Sequence, residues 1–256
     1  MTPFESPQSR PRIRAEIVLV LALSLGASAL YSIVSIIDRA TQSVPIGQQS
    51  TTLNQSLDDR QVFDLVYQLL GIAVDLAPVA LVCFLLWAPG RPHLERLGLD
   101  GARRGKDVGW GVLLALGVGI PGIVAYFGAR ALGLTVAVDA SGLSDYWWTV
   151  PVLILSAARS GIEEEVIMIG YLFARTRQLG WSTVTTIAVS AVIRGTYHLY
   201  QGYGAFFANA AMGVLFGWLY HRYGRLLPIV VAHTAIDAAV FVGYPLAVAA
   251  FPSLFA

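Results

Sequence analysis

The chain of 256 residues is poor in charge, poor in sulfur and almost without lysine. Charged residues make up only 13% of it, well below the roughly 25% of soluble domains, while 56% is hydrophobic. That balance excludes an ordinary water-soluble domain. A net charge of +1 leaves no electrostatic footprint for nucleic acid. The single cysteine, Cys83, excludes an internal disulfide and, set in an apolar run, reads as a small buried hydrophobe. No internal repeat of the kind common in transporters is visible, and no His-Glu-x-x-His sequence fixes a zinc site on one helix. Only Lys106 among the 17 basic residues is lysine, which with the wealth of Ala, Val and Gly indicates a GC-rich bacterial coding bias.

What is present is a series of apolar runs, each near the roughly 20 residues needed to cross a bilayer. They cover residues 15–37, 62–88, 108–133, 146–173, 181–200, 205–221 and 226–250. These runs predict an all-α, polytopic transmembrane helix bundle of about seven helices; an eighth span or a re-entrant segment would alter only the tail. Residues 1–14 read as an N-terminal tail and 15–256 as the bundle. The first run is too long for a signal peptide and reads as a retained helix. Residues 38–61 are polar and read as a loop with room for a short surface helix. Arg10, Arg12 and Arg14, then Arg91, Arg96, Arg103, Arg104 and Lys106, then Arg175 and Arg177, then Arg222 and Arg225 all fall on one side of seven spans, with Arg39 and Arg60 as the basic exceptions on the other. The positive-inside rule places that side, and the N-terminus, in the cytoplasm. The expected setting is the bacterial cytoplasmic membrane, with the lipid bilayer as partner.

Against this apolar background the ionisable residues stand out. Glu163, Glu164 and Glu165 interrupt the fourth run, and a carboxylate at bilayer depth costs roughly 2.5–3.5 kcal/mol by insertion scales, so it seeks a partner or a watery cavity. Arg159, one turn earlier, is placed to pair with Glu163. Glu164 and Glu165 project about 100° apart, so one can act while the other is held. His198 follows Arg194 by one turn, and His233 precedes Asp237 by one turn. In the second run Asp64, Gln68 and Asp75 fall on one face and are expected to look into the bundle, pairing there or forming a proton path. Ala205, Asn209, Gly213 and Gly217 recur every four residues, a seam for close helix approach in which the Asn209 amide could also line a cavity. Gly161 is the one residue that suggests a helix break.

Taken in order, Glu164-Glu165-Val166-Ile167-Met168-Ile169, then Arg194-Gly195-Thr196-Tyr197-His198, then His233-Thr234-Ala235-Ile236-Asp237 resemble the three motifs of the CPBP family, the CAAX-protease and bacteriocin-processing intramembrane endopeptidases. The likeness spans about residues 146–241. Two positions depart from the family pattern: Ile169 stands where the family has arginine, and Arg194 where it has phenylalanine. Arg194 is therefore expected to restore the guanidinium from a neighbouring helix, facing Glu165 or Asp237.

The resemblance implies peptide-bond hydrolysis on a membrane-embedded or membrane-anchored substrate, including C-terminally lipidated CAAX-like proteins. Glu164 is the expected general base, because a carboxylate shielded from bulk water is a better base near neutral pH. Glu165 and His198 support it, His233 and Asp237 serve the oxyanion or the attacking water, and Arg194 and Asn209 are supporting residues. The glutamate mechanism requires no cofactor; in the metal alternative, Glu164, His198, His233 and Asp237 would hold zinc. A proton- or ion-coupled transporter and an inactive scaffold of the same family are the rival readings.

Overall fold

The computed structural model describes residues 9–87 and 93–250. Arg91, part of one basic cluster, and residues 1–8 and 251–256 at the two ends lie outside the described residues. The described residues are mainly helical, with two short strands. Helix α1 (Arg10–Ala22) and α2 (Leu25–Thr41) meet at 56°, so the first apolar run, expected as one helix, is broken. The Ser24 hydroxyl donates to the Val20 carbonyl at 2.7 Å, taking up a group freed at the break. Gly26 makes the sharp angle possible: a Cβ there would sit 2.6 Å from the Leu21 carbonyl oxygen. Helices α3 (Gln61–Asp75) and α4 (Ala77–Leu85) form the second run, interrupted before Pro78, whose ring suits the start of a helix but not its interior.

A short α5 (His93–Arg96) leads to α6 (Arg104–Ala131), at 28 residues about 42 Å long. Helix α7 (Thr149–Glu165) runs through a π-helical segment, Val166–Tyr171, into α8 (Leu172–Gln178). Then come α9 (Thr183–Tyr197), α10 (Tyr203–Tyr223) and α11 (Leu227–Ala238), the last passing through a second π-helical segment, Ala239–Gly243, into α12 (Tyr244–Ala250). Among the described residues three helical stretches, Gln61–Leu85, Arg104–Ala131 and Leu227–Leu246, are long and apolar enough to cross a membrane, or four if the bent α1–α2 pair is one span. Of the remaining expected spans, α7 carries more than two charges, α9 is too short at 15 residues, and α10, at 21 residues, falls below the hydropathy needed. Membrane-spanning character is thus clear, and the expected count of seven is not established.

The π-helical segment after α7 is the centre of the molecule. Val166, Ile167, Met168, Ile169, Tyr171 and Leu172 are each at most 2% exposed, and side chains of α1, α4, α10 and α11 pack around them. The basic clusters come together at one end. Arg175 donates to Glu16 of α1 at 2.6 Å and to the Leu85 carbonyl of α4 at 2.8 Å, while Arg225 binds Asp100 and Asp107. At the opposite end, the polar loop folds back as a 3₁₀ turn, Ile46–Gln48, and a strand β1 (Ser50–Thr52) paired in parallel with β2 (Ala137–Asp139). The turn matches the expected short helix; the strand pair was not foreseen, since three-residue strands leave too little alternation to read.

Candidate active site

Three helices deliver the ionisable residues to one buried cluster. The end of α7 supplies Glu164 and Glu165, α9 supplies Arg194 and, just past its last residue, His198, and α11 supplies His233 and Asp237. Close approach between α7 and α11 is set by Gly161, where a Cβ would lie 2.5 Å from the Thr234 hydroxyl and 2.9 Å from its backbone nitrogen. Gly161 does not break α7, contrary to the expectation: the helix continues to Glu165, and the missing side chain serves packing instead. The irregularity falls one turn later, in the π-helical segment.

Glu165 is completely buried and doubly engaged. Its Oε1 accepts from Arg194 Nη2 at 2.7 Å and lies 2.6 Å from His233 Nδ1. An acceptor already bonded to a guanidinium implies that His233 carries its proton on Nδ1, so that Nε2 faces the cluster. The other prong of Arg194, Nη1, is 3.5 Å from Glu164 Oε2. The guanidinium fork therefore spans two adjacent carboxylates that a helix points about 100° apart. Of the two partners expected for Arg194, the structure selects Glu165, not Asp237.

Glu164 is the less constrained acid, and its Oε2 is the hub. The Tyr197 hydroxyl donates to it at 2.6 Å, while His198 Nε2 and His233 Nε2 each lie 3.9 Å away. Those last two separations are too long for direct hydrogen bonds, and a water about 2.8 Å from both partners fits such a spacing. Both ring nitrogens of His198 are buried without a protein hydrogen-bond partner. Asp237 Oδ2 is 3.7 Å from His233 Nε2 and its side chain is 21% exposed, on the open side of the cluster.

Other sequence-derived candidates fall elsewhere. Glu163 pairs with Arg159 at 3.3 Å, as its spacing predicted, and Arg159 also reaches Asp75 at 3.6 Å. Asp64 is buried but structural: it accepts from Ser56, the Leu57 backbone and Gln68, fastening the loop to α3. Asp75, expected to face inward, is half exposed, because α3 ends there. Asn209 donates to the Ala205 carbonyl of its own helix at 3.0 Å, so its amide is satisfied locally rather than at the cluster. The seam it belongs to does pack: a Cβ on Gly213 would meet Ala191 at 3.0 Å and the Arg194 Cδ at 3.2 Å. Gly213 thus gives the Arg194 side chain its seat. Tyr197 joins the cluster without a role in the second motif; its position three residues after Arg194, hence on the same face, is the signal for it in the sequence.

The cluster does not fit a metal ion. Among the described residues no group of three or more His, Cys, Asp or Glu side chains is arranged to hold one. A fixed guanidinium stands 3.5 Å from Glu164, and its positive charge opposes a cation at that carboxylate. The arrangement can instead hold a water beside a carboxylate and two imidazoles, with cationic and hydroxyl groups fixing the carboxylate from behind.

The family model described as type II CAAX prenyl endopeptidase Rce1-like matches residues 146–239. That stretch contains all three motifs. No curated protein and no solved structure matches the chain.

Proposed function

We propose, from the premise that residues 146–239 belong to the CPBP family of CAAX-type intramembrane endopeptidases, that this chain hydrolyses peptide bonds of membrane-associated substrates with Glu164 as general base. The observation that carries the reading is the placing of two imidazole Nε2 atoms at the same distance, 3.9 Å, from the one Glu164 oxygen. A water held there can lose its proton to Glu164 as it attacks the scissile carbonyl. His198, at the open end of α9, orients that water or returns the proton to the leaving amine. His233, fixed by Glu165 through its Nδ1–H, presents the Nε2 lone pair to the attacking water and accepts from it. Asp237, an acceptor only when ionised, holds the same water beside His233 Nε2, 3.7 Å away. Arg194 holds both glutamates in register and takes the place of the guanidinium missing at Ile169. Peptides carrying a lipidated C-terminus are within the substrate class that the family name indicates.

The test is cleavage of lipid-embedded peptides by the purified chain in vesicles, with Glu164→Gln and His198→Ala alongside. Loss of product in both variants, at unchanged folding, supports the protease. Wild-type cleavage by either variant removes that residue from the mechanism. Proton flux across the vesicles that depends on Glu164, without any cleavage, would replace the protease with the transport alternative.

A further inference from the structure

We infer that Tyr197 is a positioning residue of this site, fixing the Glu164 carboxylate through its hydroxyl and linking it through its own backbone to helix α2. The inference rests on the protease reading for its kinetic part. Three contacts meet in this one residue. Its hydroxyl donates to Glu164 Oε2 at 2.6 Å, the shortest contact that oxygen makes among the described residues. Its ring stands 4.9 Å from the His198 imidazole, tilted 45°. Its carbonyl accepts from the Ser32 hydroxyl of α2 at 2.8 Å.

Each contact has a physical reason. Tyr197 ends α9, and carbonyls in the last turn of a helix lack partners within it. Where water is excluded, such an orphan is costly, so a hydroxyl from another helix is recruited. Ser32 is 4% exposed and Tyr197 5%, which makes the bond a buried one. Helix α2 lies outside the residues that the family model covers, yet it holds the segment from which the phenol reaches Glu164. Hydroxyl and guanidinium approach Oε2 from α9, leaving the His198 and His233 directions for water and substrate. The ionisable groups around Glu164 are Arg194, Tyr197 and His198 at α9, Tyr200 in the 3₁₀ turn that follows it, His233 and Asp237 on α11, and Glu163 and Glu165 on its own helix; from α2 only the neutral Ser32 takes part.

A hydroxyl that donates to a carboxylate favours its ionised form, the form a general base needs. In the full chain in lipid, Tyr197→Phe keeps the ring on His198 and removes only the donor. The expected result is a fall in kcat of about 10–100-fold, with KM within about twofold and the acid limb of the kcat profile displaced to higher pH. Ser32→Ala should lower kcat in the same direction by a smaller factor. A purely structural role would not move the pH profile. Wild-type kcat and pH profile in an active Tyr197→Phe protein would overturn the inference and leave the protease reading intact. Should the wild type cleave nothing, the protease reading falls by itself. The infrared carboxylate band that Glu164→Gln abolishes then decides: a shift in Tyr197→Phe supports the hydroxyl's hold on Glu164, and an unmoved band ends it.

Discussion

On one side of α7, Arg159 lies between Glu163 at 3.3 Å and Asp75 at 3.6 Å; on the other, Arg194 lies between Glu165 at 2.7 Å and Glu164 at 3.5 Å. The two clusters use the same residue types, and the carboxylates Glu163 and Glu165 project about 200° apart on one helix. Their surroundings differ. Arg159 is 27% exposed and Asp75 50%, whereas Arg194 and Glu165 are wholly buried. The buried cluster also gathers two histidines and a tyrosine, and the half-exposed one gathers no imidazole among the described residues. A guanidinium between two acids is therefore not in itself a site. What distinguishes the second cluster is exclusion from solvent together with imidazoles placed near, but not bonded to, one carboxylate oxygen.

Arg194→Ala should separate the two clusters most strongly. It leaves Glu165 buried opposite His233 alone, and removing one partner of a buried pair costs about 3–5 kcal/mol. Thermal unfolding in detergent should drop accordingly and cleavage should vanish; wild-type stability and turnover would end the assignment of Arg194 as the guanidinium of the site. Glu164→Gln should act in the opposite way, lowering cleavage about 10²–10⁴-fold with unfolding little changed. Loss of both activity and fold in that variant would make Glu164 as structural as Glu165, and the contrast within the cluster would fail. Between these, Gly213→Val should cost about 1–3 kcal/mol by overpacking against Ala191 and the Arg194 side chain. A neutral result, read by the same unfolding measurement, would show that Arg194 does not need that seat.

The buried cluster was legible because charge in an apolar run is rare and must be answered. Glu164, Glu165, His198, His233 and Asp237 were singled out on that ground, and the structure brings them together. Arg194 was placed against Glu165 or Asp237 from a departure in the motif, and it meets Glu165 at 2.7 Å. What was not legible has common causes. The bend before Gly26 and the π-helical segments after Glu165 and Ala238 change backbone winding without changing hydropathy, so a run of apolar residues conceals them. Tyr197 escaped because a tyrosine among aromatics reads as packing until its hydroxyl is seen to have an acceptor. Asn209 misled in the other direction, since an amide in a helix can satisfy itself on the carbonyl four residues back.

The half-exposed cluster should respond weakly. Asp75→Asn removes one acid from Arg159 and is expected to change stability by about 0–1 kcal/mol, with cleavage near wild type. A loss of cleavage on the scale of Glu164→Gln would join the two clusters into one functional network across α7 and break the comparison. The smallest effect is expected at a third carboxylate–guanidinium pair, outside the membrane segments. Arg225 donates to both oxygens of Asp100, at 2.6 and 3.0 Å, and the Ala102 amide adds a third bond at 3.0 Å. These donors, the guanidinium foremost, hold the Asp100 carboxyl below its ordinary range. A carboxyl depressed in the folded state stabilises the protein above its unfolded value, near about 3.9, and that contribution is lost as pH falls through the folded value. The unfolding temperatures of wild type and Asp100→Asn should then differ slightly and constantly from pH 7 to pH 5 and converge toward pH 3. A gap that instead widened on acidification would mean that Asp100 is held by its protonated form, and the bonds from Arg225 would not be what ties the end of α10 to the start of α6.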